Sequence, residues 1–269
     1  MLSRRKLKFR QNFLGACHCM LTVIKALFLR ETHTLYGSDK LGYFWALQRD
    51  VFGVGIMIMI RLVSGIQFEK GLHIVYFVLC GFFIYYVISE SISKCMSAIQ
   101  ANSSILSFPH VIPLDIMISR CLFVFFTNIQ SAIAVIILAV LYGIEFEITD
   151  APLFIYCIIT AVLFGFSAGL FMSAMAMFYP IIDKIWSIVN RIGFFLSGVF
   201  FSLDRFPSYI AEPMKLNPIL QLIEGLRKSL SHSIELNNIL SFSYVYSYIL
   251  VFLTLGLFLQ NTARERLDD

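Results

Sequence analysis

Apolar residues run along this chain in long blocks separated by short polar segments, with little of the two-residue alternation that marks half-buried strands. A helix that crosses a bilayer needs about 20 predominantly apolar residues, because the hydrocarbon core is about 30 Å thick and each helical residue rises about 1.5 Å. Blocks near that length fall at residues 41–64, 72–88, 116–141, 153–178, 185–201 and 239–259, so the pattern predicts six spans. Tyr43 and Trp45 stand at the start of the first, where an aromatic belt belongs, and Arg49, Asp50 and Arg61 make it the least apolar of the set. A further apolar stretch, residues 13–29, follows Arg4, Arg5, Lys6, Lys8 and Arg10 but is interrupted by His18 and Lys25 and is closed by Arg30. No small-residue cleavage site ends it, and it is read as an amphipathic helix lying in the membrane interface.

Composition supports lipid as the main solvent. Hydrophobic residues make up 58% of the chain and charged residues 14%, too little polar surface for a soluble domain of this length. Six spans leave no room for a separate soluble catalytic domain. The expected division is residues 1–40 as a cytoplasmic N-terminus with its interfacial helix, and 41–269 as a six-span membrane domain. Lysine and arginine are retained preferentially on the cytoplasmic side of short loops. Arg4, Arg5, Lys6, Lys8, Arg10, Lys25, Arg30 and Lys40 precede the first span, and Arg264 and Arg266 follow the last, which places both termini in the cytoplasm. Glu145, Glu147 and Asp150 then occupy an outside loop, whereas Arg205, Lys215, Arg227 and Lys228 fall outside against the rule.

The chain carries no phosphate-cradling G-x-x-x-x-G-K-[ST] run, so ATP, if used, is hydrolysed on another polypeptide that needs a cytoplasmic docking surface here. The segment from Ser91 to Asp115 suits that role, with a helical stretch from Ile92 to Ile99 and a break at Phe108-Pro109 and Pro113. An ordinary helix–turn connector would carry the same residues. Asn102-Ser103-Ser104 matches a glycosylation sequon, which its cytoplasmic placement removes. Cys17, Cys19, Cys80, Cys95, Cys121 and Cys157 have no paired spacing and read as small apolar residues. Cys17-His18-Cys19 lacks a second ligand pair, so no metal site is expected.

Ala161, Gly165, Gly169 and Ser173 form a small-residue stripe, which serves either packing within the chain or a homodimer face. Arg61 lies deeper in a span than the other charges, where a cation costs about 2.5–3.5 kcal/mol unless it reaches an interface, a partner or an aqueous path. Tyr85, Tyr86, Phe194, Phe195 and Phe200 are either lipid-compatible bulk or flat faces for sugar rings. His18, His33, His73, His110 and His232 are too dispersed for a membrane-embedded sugar or acyl transferase. Asp50 is the only acid read near a span interior, and no inverted repeat appears, which disfavours an ion-coupled secondary transporter.

Four stretches together resemble the permease subunits of ABC polysaccharide exporters, most closely those for capsular polysaccharide in Gram-negative bacteria. They are Arg30 to Gly37 with Leu41 to Leu47, Asn102 to Asp115, Leu196 to Phe201 with Pro207, and Asn217-Pro218 with Glu224 and Arg227. The resemblance implies an all-α membrane protein of the bacterial inner membrane: six transmembrane helices, the interfacial helix, and short re-entrant helices between spans five and six. It implies a homodimer on two copies of a cytoplasmic ATPase that bind ATP and magnesium, a capsular polysaccharide substrate expected to be acidic and lipid-terminated, and periplasmic and outer-membrane export partners, with no cofactor on this chain and no nucleic acid. Asn102, Leu106, Phe108, Pro109, His110 and Pro113 would belong to the ATPase-docking segment. Arg61, Tyr85, Tyr86, Phe194, Phe195 and Phe200 would belong to the polymer path, and Asn217, Pro218, Glu224 and Arg227 to the periplasmic re-entrant motif. An exposed Glu224–Arg227 pair one turn apart would contribute almost nothing to stability. Arg49-Asp50 stands where the family often has a proline, and His110 where a fixed basic residue is common, so docking specificity is expected to differ. O-antigen or teichoic acid exporters of the same type are the neighbouring alternative.

Overall fold

The computed structural model describes residues 20–33, 40–102, 111–203, 206–231 and 241–268, with the side chains of 40–50 and 263–268 outside that description. The Cys17-His18-Cys19 triplet also lies outside it. Helix α1 covers residues 20–33. Helix α2 (Lys40–Val63) leads through strands β1 (Phe68–Glu69) and β2 (Leu72–His73) into α3 (Ile74–Met96) and the short α4 (Ala98–Ala101). Then come α5 (Pro113–Leu141), α6 (Ala151–Phe178), α7 (Ile181–Leu196), α8 (Ser208–Lys215), α9 (Pro218–Lys228) and α10 (Phe242–Asp268). The long helices alternate in direction, which gives the bundle a hairpin end, where β1–β2 and α9 sit, and an α1 end.

Local chemistry sets the helix starts. Pro113, Pro152 and Pro218 occupy first-turn positions, where the missing N–H costs nothing. The side chains of His73, Asp150 and Asn217 accept from the N–H groups of Val75, Leu153 and Ile219 at 3.3, 3.0 and 3.0 Å. Lys70 (φ 51°) and Gly71 (φ 74°) make the two-residue turn of the hairpin, whose strands pair Phe68 with His73 and Glu69 with Leu72.

Four of these helices are long and apolar enough to cross a membrane: Ile74–Met96, Pro113–Leu141, Ala151–Phe178 and Phe242–Thr262 within α10. Val51–Val63 is a shorter apolar part of α2, and α7 has 16 residues, about 24 Å of rise. Buried residues make up 89% of the apolar window of α3 against 17% of that of α10, so α3 is the axis and α10 an outer wall.

Helix α3 overruns the predicted second span. The polar run Ser89 to Lys94 suggests an end at residue 88, but the helix continues to Met96, and the expected separate helix from Ile92 to Ile99 is its last turns plus α4. Two of its polar groups face partners within the bundle, the Glu90 carboxylate accepting from Asn128 Nδ2 at 3.1 Å and Ser93 Oγ from Trp186 Nε1 at 2.9 Å, while Ser91 packs sterically on α6. Glu90 is therefore an acid inside a span, a position the sequence assigned to Asp50 alone.

The small-residue stripe of α6 packs within the chain. Ala161 and Ser173 are buried, and a Cβ on Gly165 or Gly169 would stand 3.0 Å from Ser91 Cβ or 2.9 Å from Cys95 Cβ on α3. In water, apolar burial contributes roughly 25 cal/mol per Å², but lipid offers no such gradient, so close approach of backbones provides most of the attraction. Cys80, Cys95, Cys121 and Cys157 are buried free thiols, with Cys95 and Cys121 in contact at 3.4 Å between sulfurs.

This packing yields a paired prediction. Gly169→Ala destabilises the protein by about 1–3 kcal/mol, the usual cost of overpacking. Gly55→Ala, where nothing lies within 4 Å of the added methyl, leaves stability unchanged or slightly raised. Thermal unfolding of both variants in detergent reads the difference.

Candidate functional site

A groove of about 550 Å³ runs between α3 and α7, within the size range of small-molecule sites. Its residues follow helical spacing on both sides. Tyr85, Tyr86, Ser93, Met96, Ser97 and Gln100 project from α3 and the turns after it, and Asp183, Trp186, Ser187, Asn190, Arg191 and Phe194 project from α7. The remaining face of α7, with Ile181, Ile185, Ile188, Ile192 and Leu196, is exposed, so this helix is two-faced, with polar and aromatic residues inward and aliphatics outward.

An aromatic cluster closes the groove toward the hairpin end. Phe194 lies at its centre, stacked on Tyr86 at 5.8 Å and 4° and edge-on to Tyr85, Phe200, Phe195 and Phe82 at 5.1, 4.8, 5.7 and 5.3 Å. Tyr85, Tyr86, Phe194, Phe195 and Phe200 are thus brought together as one constellation. Phe82, Trp186 and Asn190, which the sequence did not single out, belong to the same site, and Arg191 joins them. Their signal is there in the spacing, since residues 183, 186, 187, 190, 191 and 194 share one face of a helix.

Arg61 does not join them. It stands in the last turn of α2, at the hairpin end, with its guanidinium 4.0 Å from the carboxylate of Glu69 and apart from the aromatic cluster.

At the hairpin end the Glu224–Arg227 pair is buried, with both residues at or below 1% exposure, which overturns the expectation of an exposed pair of little consequence. Arg227 Nη1 donates to Glu224 at 2.8 Å, Nε to the Phe77 carbonyl at 3.1 Å and Nη2 to the Val199 carbonyl at 2.9 Å, while the guanidinium carbon lies 3.5 Å above the Phe77 ring. Burial lowers the Arg227 pKa and the Glu224 carboxylate opposes it. Lys70 Nζ reaches the second Glu224 oxygen at 3.5 Å. Gly81 makes this arrangement possible, since a Cβ there would sit 2.9 Å from the Val199 carbonyl oxygen and 3.1 Å from Arg227 Nη2. Asn217 and Pro218 serve the same element by starting α9.

At the α1 end, Arg30 donates to Asn102 Oδ1 and Glu31 pairs with Arg120 at 3.5 Å. Arg120 Nη1 also donates to the Lys94 carbonyl at 2.8 Å and to Ser97 Oγ at 3.0 Å. Asn102 is buried and turns its side chain inward, so it braces the connecting segment without belonging to its outer surface. Pro113 begins α5 at the other edge of that segment, and Leu106, Phe108, Pro109 and His110 lie outside the described residues. Among the described residues, no group of three or more His, Cys, Asp or Glu is placed to hold a metal ion.

Comparison with known proteins finds relatives along most of the chain. The family described as ABC-2 type transporter matches residues 22–231. The chain is 26% identical over 251 residues to the polysialic acid transport protein KpsM of Escherichia coli, covering 90% of this chain and 93% of that protein. It is 24% identical over 222 residues to the capsule polysaccharide export inner-membrane protein CtrC of Neisseria meningitidis, covering 81% and 82% of the two. It is 26% identical over 191 residues to the capsule polysaccharide export inner-membrane protein BexB of Haemophilus influenzae, covering 69% and 70%.

The buried pair gives a direct test. Arg227→Met leaves Glu224 without its buried guanidinium and lowers stability by about 3–5 kcal/mol, and adding Glu224→Gln recovers part of that loss. Denaturant unfolding of the single and double variants measures both terms.

Proposed function

The chain belongs to the ABC-2 type transporter family, and from that premise we propose that it is the membrane subunit of an ATP-driven exporter of capsular polysaccharide. The α3–α7 groove carries this reading: it joins hydrogen-bonding side chains to flat aromatic faces, the combination that suits sugar rings. Likeness along nine-tenths of the chain to a polysialic acid transport protein supports the cargo class.

In this proposal α2 and α7 complete six spans in the inner membrane, with both termini and α1 on the cytoplasmic side. Helices α8 and α9 are re-entrant and cap the periplasmic side, which gives the basic residues of that loop a buried or capping role and removes their conflict with the charge rule. Two copies form the conduit on two ATPase subunits, which hold ATP and magnesium, and periplasmic and outer-membrane proteins receive the polymer. The segment with Leu106, Phe108, Pro109 and His110 docks the ATPase, framed by Asn102 and Pro113. This chain performs no bond chemistry. It offers a hydrated path and couples that path to hydrolysis below.

Cells lacking the gene are expected to hold polymer inside. Sections stained with a polymer-specific antibody before and after permeabilisation would show this, and normal surface polymer in those cells would overturn the proposal. Replacing Phe108 with glycine and Pro109 with alanine is expected to reduce co-purification of the ATPase with membranes at least several-fold; undiminished co-purification rules out this docking segment.

A further inference from the structure

The groove changes character along its length. Toward the hairpin end it is closed by aromatic rings, while next to them Asn190 of α7 lies against Tyr85 and Trp186 against Ser93, with Arg191 beside them and Ser97 and Gln100 lining the groove further toward the α1 end. The indole N–H of Trp186 donates to Ser93 Oγ at 2.9 Å, which fixes the ring and leaves its face as a stacking surface. The Tyr85 hydroxyl donates to Asn190, lying 2.5 Å from its backbone carbonyl oxygen and 2.7 Å from Oδ1, and the Asn190 amide N–H groups are donors for a ligand. Asp183 and Arg191 are the charged residues lining the groove, and Arg191 is exposed. Arg61, read from the sequence as a candidate for the polymer path, lies 4.0 Å from Glu69 at the hairpin end of the bundle.

We propose that this part of the groove is a recognition site for acidic sugar units, with Trp186 as the platform, Asn190 as donor to ring hydroxyls and Arg191 as the group that pairs with the sugar carboxylate. A guanidinium suits that task because its planar fork matches a carboxylate with two parallel hydrogen bonds, which a lysine ammonium cannot reproduce. The proposal rests on the exporter reading and adds to it the residues that select an acidic cargo.

The chain has two tryptophans, so the Trp45→Phe form makes Trp186 the single reporter. The full chain in lipid nanodiscs is titrated with oligosaccharides of sialic acid and of glucuronic acid, and with neutral dextran oligomers of equal length, while tryptophan emission is followed. Acidic oligomers are expected to change the emission, with affinity about tenfold weaker in Arg191→Gln, the loss of one charge-assisted contact, and partly restored in Arg191→Lys. Dextran affinity is expected to be the same in all forms. Equal response to acidic and neutral oligomers regardless of residue 191, or no response to any, overturns the assignment. Polymer trapped in cells lacking the gene together with a silent Trp186 would sink the site alone, whereas normal surface polymer would sink the exporter reading on which it rests.

Discussion

Arg227 is fully buried, and a cation so placed has to be met by acceptors on every side. Its partners come from four places in the sequence: Glu224 one turn back on α9, the Phe77 carbonyl and ring on α3, and the Val199 and Phe201 carbonyls after α7. Those contacts fix where α9 lies, how α7 ends and which face of α3 receives them. Gly81 is part of the same constraint, since a side chain there would push Val199 and the guanidinium away. Through Lys70 the cluster also holds the hairpin between α2 and α3, so the connections at this end share one electrostatic centre.

Below that centre the bundle is organised around α3. Lipid gives little reason for apolar helices to associate, so the contacts that hold α3 are close ones, with α6 bringing Gly165 and Gly169 against Ser91 and Cys95. On this helix, buried on nearly every side, Glu90 and Ser93 are met by Asn128 and Trp186 from neighbouring helices. The second of these contacts links the packing of α3 to the groove, because the same bond that satisfies Ser93 sets the plane of the Trp186 ring.

Helix α7 has a different task. None of its residues is fully buried, and its two faces differ sharply: one continues the groove from Asp183 to Phe194, and the other presents isoleucines outward. A helix held so lightly by its own chain, yet lining the cavity, is the element whose position the surroundings can most readily alter. At the α1 end, by contrast, Arg120 ties α5 to the end of α3 and, through Glu31, to α1, so the connecting segment starts and finishes on braced helices.

The sequence by itself determined the class of protein, the positions of its long helices and the family resemblance, because span length and apolar content are local properties that lipid imposes on any chain crossing it. Asn217-Pro218 and Pro113 start helices through a few neighbouring residues, although the sequence marked Pro113 only as a break. It ended α3 too early, because a polar run looks like a boundary until the partners that satisfy it are seen. Glu224–Arg227 read as an exposed pair because burial and pairing are set by residues far away in the chain, here Phe77 and Val199. Assembly of the groove was likewise a tertiary matter, since neither α3 nor α7 carries it alone and only their side-by-side packing brings Tyr85 onto Asn190 and Trp186 onto Ser93.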